Sequence, residues 1–222
     1  MKKLFMSLLA TVSFTTPVFA QDPPITKWKT HHSMGCMLTR ECLERVIKVN
    51  SSDTLKAALG VDYSEYKEEI DGIITELNKM GVDVYLAPDK YFVPRVAGSY
   101  YTVGNDFFLN ESYSKDPHQL IKTLRHEAWH AAQDAMAGTI DNTLIAIIRH
   151  SEDVPREFVL LAEIAYPPEA QPWEAEAKWA GDTPGMTLEV LKIINETNGR
   201  PWEIIEPTPL TRQYLVNEGY IK

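Results

Sequence analysis

Five consecutive residues, His126-Glu127-Ala128-Trp129-His130, place the tightest constraint on what this chain can form. Each residue of an α-helix turns about 100°, so two histidines four apart return to within about 40° of each other. The segment must therefore be helical if the pair is to act together. Both imidazoles can then share one zinc ion, each at roughly 2.0–2.1 Å. Glu127 is turned about 100° from His126, beside the ion and not on it. That is the place for a base that takes a proton from a zinc-activated water and returns it to a leaving amine. The flanking residues support the helix: Asp116 can cap it, Pro117 suits its first position, Gln119 completes a capping-box-like spacing and Gly138 marks its end. Leu120, Leu124, Ala128, Ala131 and Ala135 make an apolar stripe about 150° from the histidine pair, whose neighbours are Gln119, Thr123 and Gln133. The histidines thus face a cleft or solvent, away from the core.

Two histidines do not complete a site, and a third protein ligand must come from elsewhere. No His or Asp follows at short spacing, since Gly138 and Thr139 stand where it would fall. Attention moves to Trp173-Glu174-Ala175-Glu176-Ala177-Lys178-Trp179-Ala180, in a later helical pattern. Its alanines would let two helices approach closely and point a carboxylate at the ion, although most helix glutamates are simply solvated. This combination, H-E-x-x-H with a downstream helical Glu in an E-x-x-A setting, resembles the gluzincin group of zinc metallopeptidases, especially its small, compact members. The likeness covers residues 95–180: a hairpin, the motif helix and the ligand helix. It implies a zincin-like α+β fold, a zinc cofactor, peptide-bond hydrolysis and Glu174 as third ligand, with Glu176 as the fallback. Related families often place an acid four residues after the ligand Glu to support a zinc-bound histidine. Lys178 stands there in this chain, which leaves that role to Asp182 or a backbone carbonyl. The family's oxyanion stabiliser is a Tyr, His or Arg, and Tyr166, His150 and Arg149 are the candidates. Such enzymes also hold an extended peptide along a strand above the site. Residues 98–102 or 106–110 could supply that edge, with Tyr100, Tyr101, Phe107 and Phe108 read as packing groups and not as substrate pockets.

Elsewhere the periodicity predicts a helix over 64–80, with Tyr66, Ile70, Ile73, Ile74 and Leu77 on one side, and a strand over 82–86. Residues 95–102 and 106–110, separated by Val103-Gly104-Asn105, read as a hairpin. Further helices are expected at 142–149, 155–165, 172–180, 187–196 and 208–216. Strands early and helices late argue for an α+β architecture.

The N-terminus carries an export signature: Lys2 and Lys3, an apolar run over 4–14, and Val18-Phe19-Ala20 before Gln21. The run is well short of the roughly 20 residues that span a bilayer. The expected organisation is a signal peptide over 1–20, an N-terminal arm over 21–60 and a zincin-like domain over 61–222, secreted or periplasmic and without a stable membrane span. In an oxidising compartment Cys36 and Cys42 read as a disulfide. Six residues of helix rise about 9 Å, too far for that bond, so the chain between them must turn back. A Cys2His2 site with His31 and His32 fits no zinc spacing. The chain holds 22 Lys+Arg against 31 Asp+Glu, and losing residues 1–20 removes two lysines and no acid, moving the charge from −9 to −11. This argues against nucleic acid as partner and, taken over the whole molecule, favours cationic peptides. With 44% hydrophobic and 24% charged residues the chain can bury a core. The competing readings are a non-catalytic, zinc-containing exported binding protein and an exported structural protein without metal.

Overall fold

The computed structural model describes residues 45–138 and 144–222, which form a four-stranded sheet and eight helices in a mixed α+β arrangement. The export segment, His31, His32, Cys36 and Cys42 lie outside the described residues. Chain order begins with β1 (Ile47–Lys48), α1 (Ser52–Leu59), α2 (Lys67–Lys79) and β2 (Asp83–Ala87). It continues with β3 (Gly98–Tyr101), β4 (Asp106–Asn110) and the short α3 (Glu111–Ser114). The remaining helices are α4 (Pro117–Met136), α5 (Arg156–Ala165), α6 (Gln171–Asp182), α7 (Met186–Glu196) and α8 (Pro209–Asn217).

Strand order is β1-β2-β4-β3, with β2 and β4 parallel and both outer pairs antiparallel. The hairpin of β3 and β4 forms as its turn signal predicts, with Tyr100 opposite Phe107. β4 is interior and every one of its residues is buried, which leaves β3 as the edge strand. Of the two segments weighed, 98–102 and 106–110, the first contains a strand at the sheet edge, Gly98–Tyr101. Ile70, Ile73, Ile74 and Leu77 of α2 recur at helical spacing and are fully buried against Phe107, Leu109 and the Leu120–Leu124–Ala128 stripe of α4. The helix expected over 64–80 opens with a 3-10 turn at Ser64–Tyr66 before α2 begins. Residues 45–60, the end of the span read as an arm, join the same body: β1 pairs with β2, and Val49 and Leu55 lie in the core.

α4 starts as its sequence dictates. The Asp116 carboxylate accepts from the backbone N–H of His118 (2.9 Å) and Gln119 (3.3 Å), and Pro117 occupies the first turn. Gln119 does not close a capping box; its amide donates to Thr123 Oγ1 at 3.2 Å. The helix expected over 142–149 is absent where it is described. Residues 144–149 run without regular structure, with the N–H groups of Ala146, Ile148 and Arg149 committed elsewhere. Ala146 donates to the Gln133 carbonyl at the end of α4, and Ile148 and Arg149 donate to the Glu176 side chain on α6. An i to i−4 ladder and these tertiary bonds exclude each other. Among the described residues no helix is long and apolar enough to cross a membrane.

Two close approaches position the site. α6 lies along α4 so tightly that a Cβ on Gly181 would stand 3.1 Å from the Lys122 carbonyl oxygen and 3.4 Å from His126 Cβ. On the other side β3 meets α4 at Gly98, where a Cβ would fall 2.6 Å from Thr123 Cγ2 and 3.1 Å from Glu127 Cγ. The motif helix is thus gripped between the ligand helix and the edge strand.

Candidate metal centre

His126 and His130 project from neighbouring turns of α4 with ring centroids 4.9 Å apart and planes nearly perpendicular. Glu174 enters from α6: its Oε2 is 3.4 Å from His126 Nε2 and its Oε1 is 3.7 Å from His130 Nε2. One ligand atom from each of the three lies within 4.8 Å of the others. A tetrahedral ion with bonds of about 2.0–2.1 Å has ligand atoms roughly 3.3 Å apart, so the spacing fits an ion at the centre with modest adjustment. Glu174 Oε2 is also buried without a hydrogen bond, a cost that an ion in the shared space would remove. Against its own burial, the two histidines and the Tyr166 hydroxyl hold the Glu174 carboxyl below the ordinary range. Burial, reinforced by His126, pushes the His130 imidazole down, which favours the neutral form that binds metals.

The orientation of His130 can be traced through four groups. The backbone carbonyl of Trp173 only accepts, so Gln133 must turn its NH2 toward it (3.2 Å) and toward Glu176 Oε2 (2.7 Å). The side-chain carbonyl of Gln133 then faces His130 Nδ1 at 2.8 Å, which requires Nδ1–H and leaves Nε2 unprotonated toward Glu174. Glu176, the fallback ligand, is only 1% exposed and stands with this supporting chain, accepting also from Trp129 Nε1 and from the backbone N–H groups of Ile148 and Arg149. Asp182, a candidate second support, pairs instead with Lys122.

Glu127 sits beside the three-residue group, its Oε1 4.0 Å from His126 Nε2. Oε2 accepts the backbone N–H of Tyr100 at 2.9 Å, which ties the carboxylate to the edge strand. Tyr100 is itself anchored, donating its hydroxyl to Asp134 at 2.7 Å. Burial pushes the Glu127 carboxyl up to about 7, with His130 working against the rise and Glu174 adding to it. A group so poised can both take and give a proton near neutrality.

His126 and Glu127 open onto a cleft of about 380 Å³ between β3, α4, α5 and α6, lined also by Val96, Gly98, Thr123 and Tyr166. Of the three oxyanion candidates, Tyr166 is in the cleft. Burial and the Glu174 charge push its hydroxyl upward, so it stays a proton donor. Arg149 and His150 line other cavities, and Arg149 serves the site only through its backbone N–H on Glu176. The sequence reading placed Gln133 beside the histidines without a role; its spacing of three from His130 was the available signal. No local pattern marked Glu176 as a buried acceptor or the Tyr100 N–H as a Glu127 partner, because both depend on which elements meet.

Comparison with protein-family models, curated proteins and solved structures finds no match for this chain. What fold and site define together is an α+β protein with a His126–His130–Glu174 group that could hold a metal ion and is compatible with zinc.

Proposed function

We propose that this chain is an exported zinc-dependent peptidase of gluzincin type. The observation that carries the reading is the convergence of His126, His130 and Glu174 beside Glu127, with His126 and Glu127 lining a cleft whose wall includes the start of the edge strand at Gly98. Zinc held by those three residues would polarise a peptide carbonyl and acidify a water in the cleft. Glu127 takes a proton at Oε1 while the Tyr100 N–H keeps the carboxylate in place through Oε2, and the same carboxyl later protonates the leaving nitrogen. The Tyr166 hydroxyl is the donor for the carbonyl oxygen as negative charge develops on it. The Val96–Gly98 backbone is the wall along which an extended peptide would lie.

The test is Glu127→Gln. The variant should retain zinc by elemental analysis and lose hydrolysis of a mixed peptide library by about 10²–10⁴-fold. Undiminished activity would sink the mechanism. Stoichiometric zinc with no hydrolysis by the parent protein would instead favour a non-catalytic binding role.

A further inference from the structure

The cleft holds positive charge that hydrolysis itself does not use. Lys178 stands four residues after Glu174 on α6, so its side chain leaves the same face one turn further along. Its ammonium lies 5.2 Å from the centroid of the Tyr166 ring, a seat that holds the charge at the cleft wall. Lys178, Arg95 and Lys122 all line the cleft. Lys122 is paired with Asp182, whereas Lys178 and Arg95 have no carboxylate partner among the described residues. Arg95 is held at φ 74, a left-handed conformation disfavoured for an arginine, immediately before the Val96–Gly98 wall.

We propose that Lys178 and Arg95 recognise a carboxylate on the substrate, within one or two residues of the bond that is cut. The inference rests on the peptidase reading and adds a substrate class to it: peptides with an acidic side chain or a free C-terminal carboxylate near the scissile bond. The distance follows from reach, since one helical turn rises about 5.4 Å and one extended residue spans about 3.3–3.6 Å. Arg95 can grip a carboxylate with two parallel N–H bonds, and Lys178 supplies a point charge. The net charge of −9 repels anions at long range, but screening confines that effect to about 8–10 Å, inside which the local cations dominate. The local field thus opposes the preference for cationic peptides expected from the overall composition.

The experiment uses zinc-loaded protein and short peptides identical except for Glu, Gln or Lys beside the scissile bond, each as free acid and as amide. Hydrolysis is followed with the parent protein, and equilibrium binding by calorimetry with Glu127→Gln, which keeps the peptide intact. The carboxylate-bearing peptides should bind about tenfold more tightly than their neutral counterparts, with the margin shrinking as salt rises. Comparing the Glu arm with the free-acid arm identifies which carboxylate is read. Lys178→Met should erase most of that margin, read as the ratio of carboxylate-bearing to neutral-amide affinity within the same variant so that any general effect on the cleft cancels, and Lys178→Glu should transfer the preference to the Lys peptide. Arg95→Gln should reduce the margin independently. Equal binding of acidic and neutral peptides, preference for the Lys peptide by the parent protein, or a margin that survives both neutral variants overturns the proposal. Selective binding without cleavage would keep the carboxylate site and overturn the peptidase reading. Cleavage without selectivity would do the reverse, and neither binding nor cleavage would overturn both.

Discussion

At Gln133 one side-chain amide connects His130, Glu176 and the backbone of α6. Where other sites use an acid to support the histidine, a neutral amide does so here, and the carboxyl group stands one step back at Glu176, pushed up by its burial against the hydrogen bonds it accepts. This divides the work: Gln133 selects the His130 tautomer, while Glu176 ties down the 144–149 segment and fixes Gln133 in turn. Gln133→Leu should weaken metal binding by about 10–100-fold, read by competition against a chelator of known affinity. It should also cost about 1–3 kcal/mol of stability, because a buried Glu176 acceptor loses its shortest side-chain donor. Retained metal affinity in a destabilised variant would limit the amide to a structural role. The motif itself was legible at this scale, since the spacing of His126, Glu127 and His130 fixes their relation on any helix. The choice between Glu174 and Glu176 was less so, because two residues of helix separate a ligand from a support by about 200° and only the packing of α6 on α4 says which way each points.

The elements that grip α4 do so by close approach, and β3 is the more sensitive. With Gly98 against Thr123 and Glu127, even one methyl group must push the strand away from the motif helix. Gly98→Ala should cost about 1–3 kcal/mol in thermal or denaturant unfolding and reduce turnover more than metal content, since the Tyr100 N–H would be drawn off Glu127. Thr123→Ser removes the nearest methyl, so the double variant should recover part of the loss; a purely additive double-mutant cycle would count against this contact as the cause. The hairpin, α4 and the four later helices were all visible as periodic runs with turn or cap signals. The segment 144–149 was not. Its apolar run, Leu144-Ile145-Ala146-Ile147-Ile148, fits helix and buried extended chain equally well by pattern, and the carbonyl of Gln133 and the carboxylate of Glu176 decided between them.

Across the whole molecule, Arg125 joins three helices. Its guanidinium meets the Glu69 carboxylate from α2 (2.8 Å at Nε), and the same Glu69 accepts the Gly185 N–H before α7. Burial works to raise the Glu69 carboxyl, but Arg125 and the Gly185 N–H overcome it and hold it below its ordinary value of 4.5. A depressed folded-state value means the bond contributes fully above the unfolded value and is lost as pH falls through the folded one. Stability should therefore decline on the acid side below about 4.5. Glu69→Gln should flatten that limb and cost about 3 kcal/mol at neutral pH by leaving Arg125 buried without a counter-charge, measured as melting temperature against pH. An unchanged acid limb would assign the loss to other carboxylates. At this scale the sequence alone determined the α+β class, the motif helix with its cap and stripe, and the placement of a glutamate beside a histidine couple, because those follow from local periodicity and side-chain chemistry. The tertiary structure decided which strand of the hairpin is at the sheet edge, which glutamate joins the histidines, what orients His130 and which cleft cations lack a carboxylate partner among the described residues. Each of these is a relation between elements far apart in the chain, set by how closely glycine and alanine surfaces let helices and strand approach, and no spacing along one element contains it.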